Sequence, residues 1–315
     1  MNMDIAYLLW LQEIRNAISD ALTPFMEAVS LFAITYLVII PALIYWCVNK
    51  KNGLYIISSF SLTVAFNAVL KLTVCAYRPW IRDPRILPAG DAITTATGYS
   101  FPSGHTAKAT PIYGAIAVTT WKKYRWIAVA SIVLILITGL SRNYLGVHTP
   151  QDVVVAMLEG SFFLFAVNRL FIYLGKHPEQ ENWFLLAGII LGFAAICYIT
   201  LKQYPMDYVD GKLLVDPKSM MKDGYGDIGT FIGFCAGRFI EKNLIKYEPR
   251  LTVNSFASGL AGSVILFFMI QLMGNPLKNL LGLNWGSFVN KFLIMLFILV
   301  IWPLVMKAVQ KHEVG

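Results

Sequence analysis

Nine stretches of mostly apolar residues dominate this chain, most of them close to the twenty or so needed to cross a bilayer. They cover 28–47, 54–75, 106–121, 126–145, 152–173, 183–201, 229–246, 255–273 and 287–306. The stretch at 106–121 is short, and the one at 229–246 carries Arg238, Glu241 and Lys242 near its end. The expected fold is therefore all-α, a polytopic transmembrane helical bundle of about nine spans. The composition agrees: only 14% of the 315 residues are charged and 57% are hydrophobic. A soluble domain carries about a quarter charged residues, so lipid must solvate much of this surface.

The net charge of +8 does not point to nucleic acid, because no basic helix or aromatic-basic interleave is present. Lysine and arginine on cytoplasmic loops account for it. Lys50 and Lys51, Lys122 to Arg125, Arg169 and Lys176, Lys242 to Arg250, and Lys307 and Lys311 alternate along the spans as one membrane side. That side is read as cytoplasmic, with the C-terminus on it. The loops 76–105, 141–151 and 202–228 then face outward.

The whole chain, 1–315, reads as one membrane domain, with an interfacial helix over 1–25, a core over 26–175 and a C-terminal transmembrane extension over 176–315. The first 21 residues hold Asp4, Glu13, Arg15 and Asp20 and lack the pattern of a cleaved signal. Leu11, Ile14, Ile18 and Leu22 recur at helical spacing. They fit a helix in the membrane interface or one packed on the protein's own surface equally well. Cys47, Cys75, Cys197 and Cys235 show no paired spacing and are expected as small core hydrophobes.

Three polar clusters fall on the outward side. Lys71 precedes Arg78-Pro79 by seven residues, two helical turns, which would put both charges on one helix face. Taken alone, Lys71 is more simply a snorkelling lysine. Pro102-Ser103-Gly104-His105-Thr106 precedes an apolar helix; Ser103 can cap it, and Gly104 admits a ligand to the anion-binding amides there. Taken alone, this is an ordinary turn. Ser141-Arg142 is followed five residues later by His148-Thr149-Pro150-Gln151-Asp152. Thr149 would cap a helix begun by Pro150, and Asp152 could reach back to a ring nitrogen of His148. A simple capping box explains Thr149 and Asp152, but not Arg142 or His148. Three cations, two histidines and a helix mouth on one membrane face specify an anion, and phosphate fits best.

These residues resemble the signature of the type 2 phosphatidic acid phosphatase (PAP2) superfamily: Lys-x6-Arg-Pro, Pro-Ser-Gly-His, and Ser-Arg-x5-His-x3-Asp. Every fixed position matches, from Lys71, Arg78 and Pro79 through Pro102 to His105 and on to Ser141, Arg142, His148 and Asp152. The resemblance implies catalysis by His148 as nucleophile, Asp152 as its orienting partner and His105 as acid and base. It implies phosphate binding by Lys71, Arg78, Ser103, Gly104 and Arg142, with no metal or other cofactor. The extended plan is similar to the glucose-6-phosphatase and sphingosine-1-phosphate phosphatase branches, as is the run Gly229-Thr230-Phe231-Ile232-Gly233.

The expected substrate is a lipid phosphate or pyrophosphate, such as a phosphatidic acid, an isoprenyl diphosphate or a sphingoid phosphate, met at the bilayer. A soluble sugar phosphate, or transfer to an acceptor alcohol, is the alternative. A transporter would place its polar residues at the midplane instead. Short loops favour a bacterial plasma membrane with the site facing outward. The loop 202–228 mixes Asp207, Asp210, Asp216, Asp223 and Asp227 with lysines. It matches no EF-hand and reads as a solvated loop that could lie over the site.

Overall fold

The structure, a computed structural model of the chain, describes residues 3–312 apart from 97 and 210. It is a helical bundle whose only strands among the described residues are a short antiparallel pair, Tyr208–Val209 with Lys212–Leu213. Helices form in all nine apolar stretches. Among the described residues, six helical segments are long and apolar enough to span a membrane: Lys50–Arg82, Arg125–Tyr144, Pro150–Lys176, Pro178–Leu201, Val253–Leu272 and Leu283–Lys311. A bent pair, α2 (Thr23–Thr35) and the segment Ile39–Val48 that begins with α3 (Ile39–Leu43), makes a seventh if the two count as one span despite their 48° bend.

The two helices that fall short of this measure are α7 (Gly104–Thr120), at 17 residues, and α11 (Pro217–Ile240), which carries Asp223 and Asp227. Both lie inside the bundle. α7 packs on α4 (Lys50–Val74), α8 (Arg125–Tyr144) and α9 (Pro150–Lys176), while α11 packs on α4, on α10 (Glu181–Leu201) and most extensively on α14 (Leu283–Leu296). A helix enclosed by other helices needs small residues at its contacts rather than an apolar exterior. Gly229 and Gly233 are such contacts. A Cβ on Gly229 would lie 2.6 Å from the Phe288 carbonyl oxygen, and one on Gly233 2.9 Å from that of Phe292. The glycine run noted above is thus the seam that locks α11 to α14.

The charges that weaken 229–246 as a span are paired at its end. Arg238 meets Glu181 at 2.7 Å and also Glu241, and Lys242 meets Glu181 at 3.0 Å. Lys50 reaches the fully buried Glu241 at 2.9 Å. This network ties α4, α10 and α11 together at the bundle end that carries the basic residues Lys50 and Lys242.

At the opposite end α1 (Met3–Ala17) docks on the protein's own loops. Asp4 pairs with Arg82 at 2.8 Å, Gln12 takes the Leu87 amide at 2.8 Å, and Arg15 donates to the carbonyls of Leu87 and Tyr144. The inward stripe is Ile5, Leu8, Leu11 and Arg15. Leu11 therefore faces inward, whereas Ile14, Ile18 and Leu22 stay exposed, with Ile18 and Leu22 beyond the end of the helix. Three of the cysteines are buried as expected, but Cys197 is exposed on α10.

Candidate active site

Three chain segments converge where α4 ends and where α7 and α9 begin. The α4 helix stops at Val74 because Cys75 adopts a left-handed conformation, φ 54°. Arg78 consequently lies outside that helix, one residue before the short α5 (Pro79–Arg82). Lys71 and Arg78 do not share a helical face, as their spacing predicts; the turn at Cys75 brings them together instead. Lys71 Nζ donates to the carbonyls of Tyr99 (3.4 Å), Ser100 (3.1 Å) and Pro102, and so holds the loop that leads into α7. The charge on this half-buried ammonium is thereby matched to backbone dipoles, as a cation within a span requires.

Ser103 caps α7, its Oγ accepting from the Thr106 amide at 3.4 Å. Thr149 caps α9 with the complete capping box expected of Thr149 and Asp152, and Pro150 opens the helix. A bond from the Ser103 amide to the Asp152 carbonyl, 2.9 Å, fixes the two helix starts side by side. Gly146, at φ +71°, makes the turn between α8 and α9 that a side chain would strain. Asn143 Nδ2 holds the His148 carbonyl at 2.9 Å.

His148 lies at the centre. Its Nδ1 is 3.2 Å from Asp152 Oδ2, and its Nε2 is 2.8 Å from Arg78 Nη1. A guanidinium only donates, so Nε2 must be the accepting nitrogen and Nδ1 the one that carries the proton toward Asp152. Burial, followed by the charges of Arg78, Lys71 and Arg142, holds the imidazole well below its ordinary range. The neutral form of the ring is thereby favoured, with its lone pair on Nε2. The capping reading and the catalytic reading of Asp152 turn out to be compatible. One oxygen, Oδ2, accepts from the Thr149 amide at 2.9 Å, from Ser100 Oγ and from His148.

A cavity of about 480 Å³ opens in front of this cluster. Lys71, Arg78, Gly104, His105 and His148 line it. A Cβ added to Gly104 would meet nothing within 4 Å, so open space lies over the α7 start. Arg142 stands behind the cavity wall. It is buried, its Nη1 donates to Ser30 Oγ, and its Nε and Nη2 have no partner among the described residues. His105 Nε2 is likewise buried and unpartnered. Replacing Gly104 with alanine should leave the melting temperature unchanged, since no atom is displaced, yet lower kcat/KM about 10- to 100-fold by filling the space over the amides. Thermal unfolding and phosphate release on one preparation check both halves of that expectation.

Some neighbours carry no motif. Ser100 braces Asp152, and Glu159, two turns along α9 from Asp152, accepts from Asn67 at 2.8 Å. Asp223 and Asp227 leave the expected solvated loop altogether. Asp216 caps α11 through the Lys218 amide, 3.0 Å, and the helix carries both carboxylates to the cavity wall. Only 202–216 remains as the loop and hairpin, within which Asp210 lies outside the described residues. Among the described residues, no three His, Cys, Asp or Glu side chains are grouped to hold a metal ion.

The PAP2 superfamily profile matches residues 52–176, which span α4 to α9 and include every side chain of the three clusters. This segment is a PAP2 domain. The chain is 29% identical over 167 residues to phosphatidylglycerophosphatase B of Bacillus subtilis, covering 50% of this chain and 74% of that one. It is 31% identical over 119 residues to undecaprenyl-diphosphatase of Sulfolobus acidocaldarius, covering 37% and 54%. Over 165 residues it is 26% identical to glucose-6-phosphatase catalytic subunit 1 of Haplochromis nubilus, covering 45% and 46%. The chain thus spans about half the length of the last two relatives. No solved structure matches it. The PAP2 domain supplies the clustered polar side chains; α11 and α14, which close the cavity, lie beyond it.

Proposed function

We propose that this chain is an integral membrane phosphatase that hydrolyses a lipid phosphate or pyrophosphate through a phosphohistidine on His148, without metal. The observation that carries the reading is the opposed pair of contacts on one imidazole. Asp152 accepts from Nδ1–H while the Arg78 donor marks Nε2 as the unprotonated nitrogen, at the wall of a cavity lined by cations.

In this mechanism Nε2 attacks phosphorus in line, the N–P bond forms and the P–O bond to the lipid breaks. His105, on the cavity wall, gives its proton to the departing oxygen. A dianionic phosphate beside it favours the protonated imidazole needed for this step. The phosphorylated ring is cationic, and the Asp152 carboxylate stabilises it through Nδ1–H. Water then attacks phosphorus, His105 recovers a proton from it, and breaking the N–P bond frees inorganic phosphate and neutral His148. Arg78 provides donors for the equatorial oxygens, alongside the Gly104 amide at the α7 start, and Arg142 adds its charge from behind the cavity wall. The relatives named for lipid phosphatases support a lipid substrate, and the alternating loop charges support a site that faces away from the cytoplasm.

The test is phosphate release in detergent, with a chelator present, from phosphatidic acid, isoprenyl diphosphate, sphingosine phosphate and glucose 6-phosphate. Turnover of the lipids with the chelator present is expected. An absolute requirement for magnesium, or turnover of the sugar phosphate alone, would overturn the proposal.

A further inference from the structure

The cavity does not end at the catalytic residues. Its deeper part is formed by α7, α11, α13 (Gly274–Leu281) and α14, and is lined by Lys108, Lys278, Asn290 and Lys291 together with Asp223 and Asp227. Lys222 also lines the cavity, so four lysines face two aspartates. Only one ion pair forms among them, Lys108 Nζ to Asp227 Oδ1 at 3.9 Å. Among the described residues Lys291 makes no hydrogen bond or ion pair, although it shares the field of Asp223 and Asp227. Asn290 is 7% exposed, and its Oδ1 is buried without a partner. Ammonium groups enclosed in a membrane bundle are costly unless a site uses them, and this set carries more positive charge than its own carboxylates offset.

Position sets the geometry. Lys108 stands three residues after His105 and four after Gly104 on α7, hence on the same helix face and one turn, about 5.4 Å, further along. A ligand whose scissile phosphate lies at His148 therefore reaches this charge with the group next to it. Building on the phosphatase reading above, we propose that the deeper half of the cavity is a recognition site for a second phosphoryl group. The preferred substrate then carries two phosphates, one cleaved at His148 and one held by Lys108, Lys278 and Lys291. Asn290 Oδ1 is placed to accept from a hydroxyl on the bridge between them. Lys278, Lys291 and Asn290 lie outside the PAP2 domain, so this specificity belongs to the C-terminal extension.

The experiment compares kcat/KM for three substrates on the full chain in detergent. These are phosphatidic acid, with one phosphate; an isoprenyl diphosphate, with adjacent phosphates; and a diacyl lipid whose terminal phosphomonoester is joined through glycerol to a phosphodiester. At least one two-phosphate substrate should exceed phosphatidic acid tenfold or more, and which of them does identifies the spacing. In Lys291→Gln that ratio should fall toward one. Lys278→Gln, on the short peripheral helix α13, gives a second variant should the first fail to fold. A wild-type ratio near one, or a ratio unchanged in the variants, would refute the second-phosphate site while leaving hydrolysis at His148 intact. Absence of turnover on all three substrates would instead defeat the phosphatase reading on which it rests.

Discussion

Replacing His148 with alanine should abolish turnover, lowering kcat by about 10⁴-fold or more, the scale on which removal of a covalent nucleophile acts. The effect is separable from folding. Arg78 keeps its bond to the Val147 carbonyl at 2.8 Å and its Nε bond to the Gly98 carbonyl at 3.0 Å without the ring. The Thr149–Asp152 capping box also survives, because it uses no atom of the imidazole. The variant should therefore melt within a few degrees of the wild type. Brief incubation of the wild type with radiolabelled substrate and rapid quenching in alkali should trap label on protein, since a phosphoramidate on histidine resists base and is lost in acid. His148→Ala should trap none. Full activity in the variant would mean that another group attacks phosphorus, and label persisting in it would mean that the phosphoenzyme forms elsewhere.

The second large effect is expected from Asp152→Asn, which should lower kcat about 10³-fold with little change in stability. The asparagine oxygen can still accept from the Thr149 amide, so α9 keeps its cap. A neutral amide oxygen in the Oδ2 place, however, accepts more weakly from Nδ1–H than a carboxylate does, so it neither fixes the tautomer nor offsets the cation formed on phosphorylation. Asp152→Ala removes both functions, and should add about 1 kcal/mol of lost stability to the lost rate. Melting curves and single-turnover phosphate release on the two variants separate capping from orientation. Equal activity of Asp152→Asn and wild type would show that the carboxylate serves only the helix end.

The geometry of the cluster was legible because each part of it is local. Thr149-Pro150-x-Asp152 and Ser103-Gly104 are helix starts written in consecutive residues, and the structure builds both as read. The convergence of Lys71 and Arg78 was legible as an outcome but not as a route, since a left-handed Cys75 leaves no mark in a helical periodicity. The deeper half of the cavity was hidden for a different reason. Asp223 and Asp227 sit in a charge-rich stretch that reads as solvated, yet Asp216-Pro217 carries the same start signal as Thr149-Pro150. Charge density outweighed the cap, and the cap was the better guide. Among the described residues, length and hydropathy single out six spans, or seven with the bent pair, where nine are expected, for a related reason. Hydropathy reports the lipid-facing side of a helix, and α7 and α11 have little of one.

The bond between the Ser103 amide and the Asp152 carbonyl has a consequence for how weakly any anion could be held beside it. It places two helix beginnings against one another at a common point, each contributing the equivalent of roughly half a positive charge. Together they approximate a fixed cation that has no side chain, takes up no proton and cannot be deleted by substitution. Stripping the lysines and arginines away one at a time would wear the anion's affinity down toward that floor rather than to nothing. A helix packing contact of this kind is also an inherited charge, carried by the fold itself wherever these two helices start side by side.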